Sequence, residues 1–389
     1  GILLAGAAMF VAQRGWLAEP LGLTRAAELT LGIALTAAVL WVTEAVPLFV
    51  TSLVVLALEL VLLPPQLGDS GSGALFLNAF FSDVSLLFLG GFVLSAGIQR
   101  AGLDRLVSHQ VMKRAGRSPT RVVVAMMAVT SLLGVWMSNT AACALMLGLG
   151  GGMLSRVSAG DGFRKALLLG IAYSSNMGGL ATPVSSPPNA IVMRYLEAEG
   201  TAPGFAGWMS LAVPLLLVMQ TLLVLYLGRR FPSGVKEIPL DETPPPAFGA
   251  PQRVVLAVFL LTVLGWVFGQ KVGLTSGTVA LLPVVVFFGT NLLRTAELRT
   301  LPWDVVLLIG GGLSLGAAVD QSGLASWAGA LLPVEHVSPF VLEGTVAVLA
   351  VVISAVMSNT AAINLIAPIV MGLPGVDHSR LLLIAAFAC

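Results

Sequence analysis

The stretch VWMSNTAACAL at residues 135–145 recurs as AVMSNTAAINL at residues 355–365, so that six consecutive residues are identical about 220 positions apart. In both copies the polar run Ser-Asn-Thr lies in the middle of an apolar segment. Non-helical backbone inside apolar surroundings leaves N–H and C=O groups that need partners. The repeated stretch therefore predicts two related polar turns, each with a function that requires it.

The composition predicts a polytopic α-helical membrane protein. Of the 389 residues, 57% are hydrophobic and 10% are charged, whereas about 25% charged residues is usual in soluble domains. Apolar segments of roughly 15 to 25 residues match the length that an α-helix needs to cross a bilayer. They are continuously apolar, which disfavours a β-barrel. The net charge of +1 gives no reason to expect a nucleic-acid partner.

The apolar segments predict the membrane crossings. Two of them, 122–193 and 341–371, are interrupted by Gly, Pro and the MSNTAA runs, and an apolar start follows at 381–389. The remaining predicted spans are 1–13, 29–43, 47–63, 83–99, 210–228, 253–268, 276–293 and 303–319.

The basic residues predict the direction of these spans. The segment 100–121 carries six Lys or Arg, and the positive-inside rule places it in the cytoplasm. If the first MSNTAA segment is a hairpin that enters and leaves on one side, fifteen of the twenty basic residues face inward. The five that face outward are Arg14, Arg25, Arg194, Lys271 and Arg380.

The two copies are predicted to have opposite orientations. Five crossings separate the first hairpin from the second, so the second must open from outside. The repeat extends upstream, because DVSLLFLGGFVLSAGIQRAGL (83–103) matches DVVLLIGGGLSLGAAVDQSGL (304–324). This is the inverted-repeat plan of secondary transporters, with two reentrant hairpins.

A third polar interruption follows the first hairpin. The stretch GGLATPVSSPPNAIV (178–192) contains three prolines, which cannot continue a helix. We predict that 166–193 is a transmembrane helix broken at mid-depth, with Ser185, Ser186 and Asn189 at the break.

Paired SNT runs on opposed hairpins with an SPPN break after the first resemble the divalent anion/sodium symporter family of dicarboxylate, citrate and sulfate carriers. The resemblance implies a multi-pass protein of the inner (cytoplasmic) membrane that carries a divalent anion with sodium ions. It also implies an elevator-type fold and a homodimer in the lipid bilayer.

The resemblance further implies which residues bind. The anion would be held by Asn139, Thr140, Ser186, Ser358, Asn359 and Thr360. One sodium ion would lie among Ser138, Asn139 and Ser185. A second would lie near Ser354, Ser358 and Asn359.

Domain boundaries follow from the same family plan. Scaffold helices of the first repeat would occupy 1–121, and 122–228 would form the first part of a transport domain. A cytoplasmic linker would cover 229–252. Scaffold helices of the second repeat would occupy 253–340. Residues 341–389 would form a further part of the transport domain, with the outer hairpin and the start of a truncated second broken helix.

The residues themselves support a cation-coupled anion carrier. Neither SNT run nor the SPPN break contains Arg or Lys. Helix amino termini favour an anion but bind a dianion weakly on their own, so co-bound cations are the natural countercharge. Serine, asparagine and backbone oxygens suit sodium.

Two departures from the family pattern shape our expectations. Gly134 stands four residues before Ser138, where the second copy has Ser354 before Ser358, which removes a possible hydroxyl ligand. The chain begins without Met and stops before a second Pro-Pro-Asn break appears. We therefore expect a fragment truncated at both ends, which as written would not transport.

Other functions compete with this interpretation. A sodium-independent dicarboxylate exchanger or a sulfate transporter of the same fold is the main one. A proton-coupled carrier would need a titratable residue at mid-depth in the three site segments, which have none. An intramembrane enzyme is disfavoured because no carboxylate pair or His cluster is predicted at a shared depth.

Overall fold

The structure is a computed structural model that describes residues 1–16, 18–68, 73–238, 247–331, 334 and 337–389. Over these residues the chain is helical and contains no strand. The α-helices are α1 (Ile2–Arg14), α2 (Ala18–Leu21), α3 (Arg25–Thr43), α4 (Leu48–Leu62), α5 (Pro64–Leu67), α6 (Gly73–Phe80), α7 (Asp83–Ala101), α8 (Leu103–Ala115), α9 (Pro119–Gly134), α10 (Asn139–Leu154), α11 (Gly162–Gly178), α12 (Pro187–Ala198), α13 (Gly204–Arg230), α14 (Ala250–Phe268), α15 (Ser276–Gly289), α16 (Thr295–Arg299), α17 (Trp303–Gln321), α18 (Leu324–Leu331), α19 (Pro339–Val356), α20 (Asn359–Met371) and α21 (His378–Ala388).

The helix lengths confirm the membrane class. In the described part of the chain, six helical stretches are long and apolar enough to cross a bilayer. Each predicted span corresponds to a helix, and both interrupted segments are divided where the sequence predicts. The candidate spans are Arg25–Thr43, Gly73–Ala101, Gly204–Arg230, Ala250–Val272, Trp303–Gln321 and Pro339–Val356.

The chain forms two compact units. The first comprises Gly1–Leu86, Pro187–Ala202 and Pro302–Cys389, and the second comprises Leu87–Ser186 and Pro203–Leu301. We call them unit 1 and unit 2. The predicted scaffold and transport domains are defined by movement and not by compactness, so their boundaries remain a prediction.

Unit 1 is built around α17, which packs against α4, α6 and α20. Its core includes the fully buried side chains of Ile33, Trp41 and Phe76. Glu59 on α4 is also fully buried, and the Ser314 hydroxyl on α17 donates a hydrogen bond to its carboxyl group. Among the described residues Ser314 is the only side chain that pairs with this carboxyl group. Because a buried carboxyl group without a hydrogen bond is costly, the contact favours one register of α4 against α17.

Unit 2 is built around the pair α9 and α11. Met126, Met127, Leu167 and Ile171 are fully buried between these helices and their neighbours. The described start of the linker joins the same core. The Ile238 amide donates to the Arg117 carbonyl at 2.8 Å, and the Ile238 side chain is buried. The linker is thus anchored to unit 2, although its residues 239–246 lie outside the described part.

Candidate functional site

Each MSNTAA run forms the turn between two helices and the start of the second. Ser138 is the N-cap of α10, and its hydroxyl accepts a hydrogen bond from the Ala141 amide at 3.3 Å. Ser358 caps α20 in the same way, accepting from the Ala361 amide at 3.2 Å. Serine is a preferred N-cap residue because it satisfies one of the free first-turn amides. Other first-turn N–H groups of α10 and α20 remain available at these tips.

The predicted break is present between α11 and α12. Helix α11 ends at Gly178 and α12 begins at Pro187. Ser185 holds the intervening turn, because its hydroxyl lies 2.7 Å from the Gly179 carbonyl and 2.8 Å from the Thr182 carbonyl. Proline at the start of α12 fits a helix amino terminus, where no backbone N–H is needed.

Asn139 places an unpaired oxygen at the tip of the first hairpin. Its amide nitrogen donates to the Asn176 side-chain oxygen at 3.3 Å. Its own side-chain oxygen, Oδ1, is buried and has no hydrogen-bond partner within the described residues. Gly179 lies directly against this amide, and a Cβ atom at 179 would collide with it. Glycine is therefore required for Asn139 to approach the break.

A second contact joins the break to the same hairpin. The Thr182 hydroxyl donates to the Val135 carbonyl at 2.9 Å. Asn139 and Ser185 are thus held in one region of unit 2, as the first predicted sodium site requires. An amide oxygen without a donor fits a hard cation, which prefers oxygen ligands.

The second hairpin tip lies in unit 1. Thr360 is buried, whereas Ser358 and Asn359 are half-buried. The Ser354 hydroxyl donates to the Val351 carbonyl of its own helix at 3.1 Å. Its oxygen lone pairs remain available as acceptors.

The predicted anion-binding residues fall into two groups. Asn139, Thr140 and Ser186 belong to unit 2, and Ser358, Asn359 and Thr360 belong to unit 1. Thr140 is exposed, and Ser186 is half-buried. Their joint role in one site remains a prediction.

The comparison with family models assigns the chain. The model of the citrate transporter family matches residues 38–389. The chain belongs to the citrate transporter family. As predicted, the protein is a multi-pass membrane transporter and not an enzyme.

Individual proteins similar to this chain are also transporters. A sodium-dependent dicarboxylate transporter of Staphylococcus saprophyticus is 30% identical, over 94% of this chain and 76% of its own length. One from Staphylococcus aureus is 31% identical, over 87% of this chain and 71% of its own length. An inorganic phosphate transporter of Saccharomyces cerevisiae is 29% identical, over 86% of this chain and 37% of its own length. The names of the two dicarboxylate transporters, with the family match, confirm the predicted resemblance to sodium-coupled divalent-anion carriers.

The structure adds residues that the sequence did not point to. Asn176 and Gly179 contact Asn139 from about 40 positions away in the sequence. Asn364 on α20 is fully buried, and its side-chain amide packs directly against Gly312. Neither polar atom of this amide has a hydrogen-bond partner among the described residues. The sequence could have indicated Asn364, because it is a polar residue in an apolar helix and lies one helical turn after Thr360.

Proposed function

We propose that this chain forms the core of a sodium-coupled symporter for a small divalent anion, a C4-dicarboxylate or citrate, in the cytoplasmic membrane. The observation that carries the proposal is the buried, unpaired Asn139 side-chain oxygen at a serine-capped hairpin tip. The printed names of the relatives support the substrate class and the coupling ion.

The anion is held mainly by helix amino termini. Helices α10 and α20 begin at the two asparagines, and α12 begins directly after Ser186. The N–H groups and the positive dipole end at such a terminus favour negative charge. Asn139, Thr140, Ser186, Ser358, Asn359 and Thr360 would donate hydrogen bonds to the carboxylates.

Sodium supplies the positive charge that these segments lack. Ser138, Asn139 and Ser185 would hold one ion, and Ser354, Ser358 and Asn359 would hold the other. Bound sodium would strengthen anion binding, and the bound anion would strengthen sodium binding by the same factor. This reciprocity is the basis of symport.

The family resemblance extends the proposal to the mechanism of movement. A homodimer of scaffold domains would remain fixed while each transport domain carries its site across the membrane as an elevator. Residues 122–228 and 341–389 would move, and residues 1–121 and 253–340 would stay in place.

Ion dependence tests the coupling. The product of the full-length gene is reconstituted in proteoliposomes, and succinate or citrate uptake is measured in sodium and in choline. We expect uptake in sodium to exceed uptake in choline by about tenfold or more, since one lost ion contact of about 1.4 kcal/mol already gives that factor. Equal uptake in both media would overturn the symport proposal.

Alanine substitution tests the site. Asn139→Ala and Asn359→Ala should each lower uptake by about tenfold or more, because each removes a ligand for both the anion and sodium. Asn78→Ala is the matched control, since Asn78 is an exposed asparagine on α6 that belongs to none of the three site segments of the sequence. Wild-type uptake by either tip variant, with normal membrane insertion, would remove these residues from the site.

The sodium-independent exchanger is the second candidate. Gly134, which lacks the hydroxyl of Ser354, is the observation that favours it. Gly134 also has a packing role, because a Cβ atom there would lie 3.0 Å from the Ser175 carbonyl oxygen. Anion-for-anion exchange that proceeds fully in choline would select this candidate.

A further inference from the structure

Unit 1 contains a cavity that the proposed transport site does not use. Its volume is about 390 Å³, and α6, α12, α17 and α20 supply its walls. The walls are mostly apolar, for example at Leu75, Leu313 and Met371, and they carry a few polar groups. Ligand pockets in proteins have this size and this mixture of surfaces.

The wall includes a hydroxyl group without a partner. The Tyr195 hydroxyl is buried and forms no hydrogen bond with another described residue. It lies against Gly316 on α17, where a Cβ atom would collide with it. Leaving such a group unpaired is unfavourable, because it has lost its hydrogen bonds to water. An acceptor on a bound molecule would remove this cost.

Two opposite charges lie at the same cavity. Arg194 on α12 and Asp320 on α17 both line it, both are exposed, and neither forms a salt bridge with another described residue. The remaining carboxylate in the lining, Glu199, is already paired with His378 at 2.8 Å. The cavity thus offers one cation and one anion to a ligand that carries both.

The position of the cavity indicates how such a ligand arrives. Asp320 is in the last turn of α17, a candidate membrane span, at the end that the charge pattern predicts to face outward. Lipid headgroups lie at this level of a bilayer, where amphipathic side chains meet the polar region.

We propose that this cavity binds the headgroup region of phosphatidylethanolamine. The lipid phosphate pairs with Arg194, its ammonium group pairs with Asp320, and an ester carbonyl accepts the Tyr195 hydroxyl hydrogen. The upper acyl chain lies on the apolar wall. Phosphatidylcholine has no N–H donor for Asp320, and phosphatidylglycerol has no cation for it.

Lipid binding to the delipidated full-length protein tests this proposal without reference to transport. Native mass spectrometry compares how well the protein retains phosphatidylethanolamine, phosphatidylcholine and phosphatidylglycerol. Binding of soluble phosphoethanolamine, which is the headgroup without acyl chains, is measured in parallel. We expect phosphatidylethanolamine to be retained about fivefold better than either other lipid, as one charge-assisted hydrogen bond predicts. Equal retention of the three lipids, or equally strong binding of phosphoethanolamine alone, would overturn the lipid assignment.

Substitutions locate the binding. Tyr195→Phe, Arg194→Gln and Asp320→Asn should each reduce phosphatidylethanolamine retention about fivefold, and Arg194→Lys should preserve most of it. Tyr226→Phe is the matched control, because Tyr226 is an exposed tyrosine on α13 in unit 2. Arg194 and Asp320 are exposed, so their variants are expected to fold even if Tyr195→Phe does not. Unchanged retention in these two variants would place the lipid elsewhere and overturn the proposal.

Discussion

Close packing requires a small residue at Gly134, whereas the equivalent position in the second copy holds the larger Ser354. Gly134 closes α9 where that helix crosses α11, and Gly178 lies directly opposite. The corresponding Ser354 in the second copy lies in the last turn of α19, and its one side-chain hydrogen bond among the described residues is to its own helix. At this position of the repeat, glycine therefore allows two helices to touch in unit 2, whereas serine provides a hydroxyl group in unit 1.

Adding a side chain at Gly134 is predicted to destabilise the protein. In Gly134→Ser the Cβ atom would lie 3.0 Å from a backbone oxygen, which cannot give way as a flexible side chain could. Overpacking of this kind costs about 1–3 kcal/mol. The midpoint of thermal unfolding should fall, whereas the mirror variant Ser354→Gly should change it less. A Gly134→Ser protein as stable as wild type, with stronger sodium dependence, would show that the missing hydroxyl is a ligand position instead.

Residue-level prediction succeeded where one short pattern determines local structure. Ser138 and Ser358 follow the N-cap rule, so the tips could be predicted without any knowledge of packing. Asn176 and Gly179 could not, because their role depends on α11 folding back against a hairpin about 40 residues earlier. A single sequence contains no record of such contacts.

At the scale of elements, apolar length predicted most of the helices and missed the short or polar ones. The segment 100–121 reads as a basic loop, yet α8 occupies most of it. Its basic residues Arg105, Lys113 and Arg114 are exposed, whereas Asp104, Ser108 and Ala115 are buried. Helices α6 and α18 have only eight residues each, too few to be recognised as spans.

The contact between the end of α12 and the start of α21 predicts a pH-dependent stability. Both ring nitrogens of His378 face acceptors, Nδ1 at 2.8 Å from Glu199 and Nε2 at 2.8 Å from the Leu373 carbonyl. Burial lowers the pKa of His378, but these two hydrogen bonds and the nearby Asp377 outweigh it and raise the pKa above its ordinary value. Folding therefore favours the protonated ring, and this stabilisation is complete below the ordinary pKa and is lost as pH rises through the raised one.

The measurement compares thermal unfolding at about pH 5.5 and about pH 9. The two side chains of this pair are 22% and 27% exposed, so we expect the pair to stabilise the folded protein by about 1 kcal/mol at the lower pH. The wild-type midpoint should fall by about 1–2 °C more than that of His378→Gln over this pH range. The Glu199→Gln midpoint should fall less steeply with pH than the wild-type midpoint, because the glutamine oxygen still accepts a hydrogen bond but carries no negative charge. Parallel pH profiles for wild type and His378→Gln would contradict the assignment.

At the scale of the whole molecule, the two copies follow the same order of elements. Helices α7 and α17 have 19 residues each, and each is followed by a shorter helix and then by a hairpin whose tip is capped by serine. The order could be predicted from the repeated sequence. The opposite orientation of the copies is a statement about the membrane, and it rests on the distribution of basic residues.

Cysteine labelling tests that orientation with a pair of equivalent turns. Ser158 lies in the exposed turn between α10 and α11, and Pro374 lies in the exposed turn between α20 and α21. After Cys143 and Cys389 are replaced by serine, single-cysteine variants Ser158→Cys and Pro374→Cys are treated with a membrane-impermeant maleimide on intact cells. We expect Pro374→Cys to react at once and Ser158→Cys to react only after permeabilisation, because the hairpins enter from opposite faces.

Two lysine positions, one predicted on each side of the membrane, are the controls for the labelling. Lys271→Cys, at an exposed position of the 3-10 helix Gly269–Val272 that is predicted to face outward, should label in intact cells. Lys113→Cys, on the basic helix α8, should not. If the controls behave so while Ser158→Cys and Pro374→Cys label from the same side, the copies are parallel. Two parallel copies would bring both hairpins in from one face, and the amide-bearing tips could then no longer approach an anion from opposite sides. The proposed carrier mechanism would fail with that result, whereas the local structure of each tip would be unaffected.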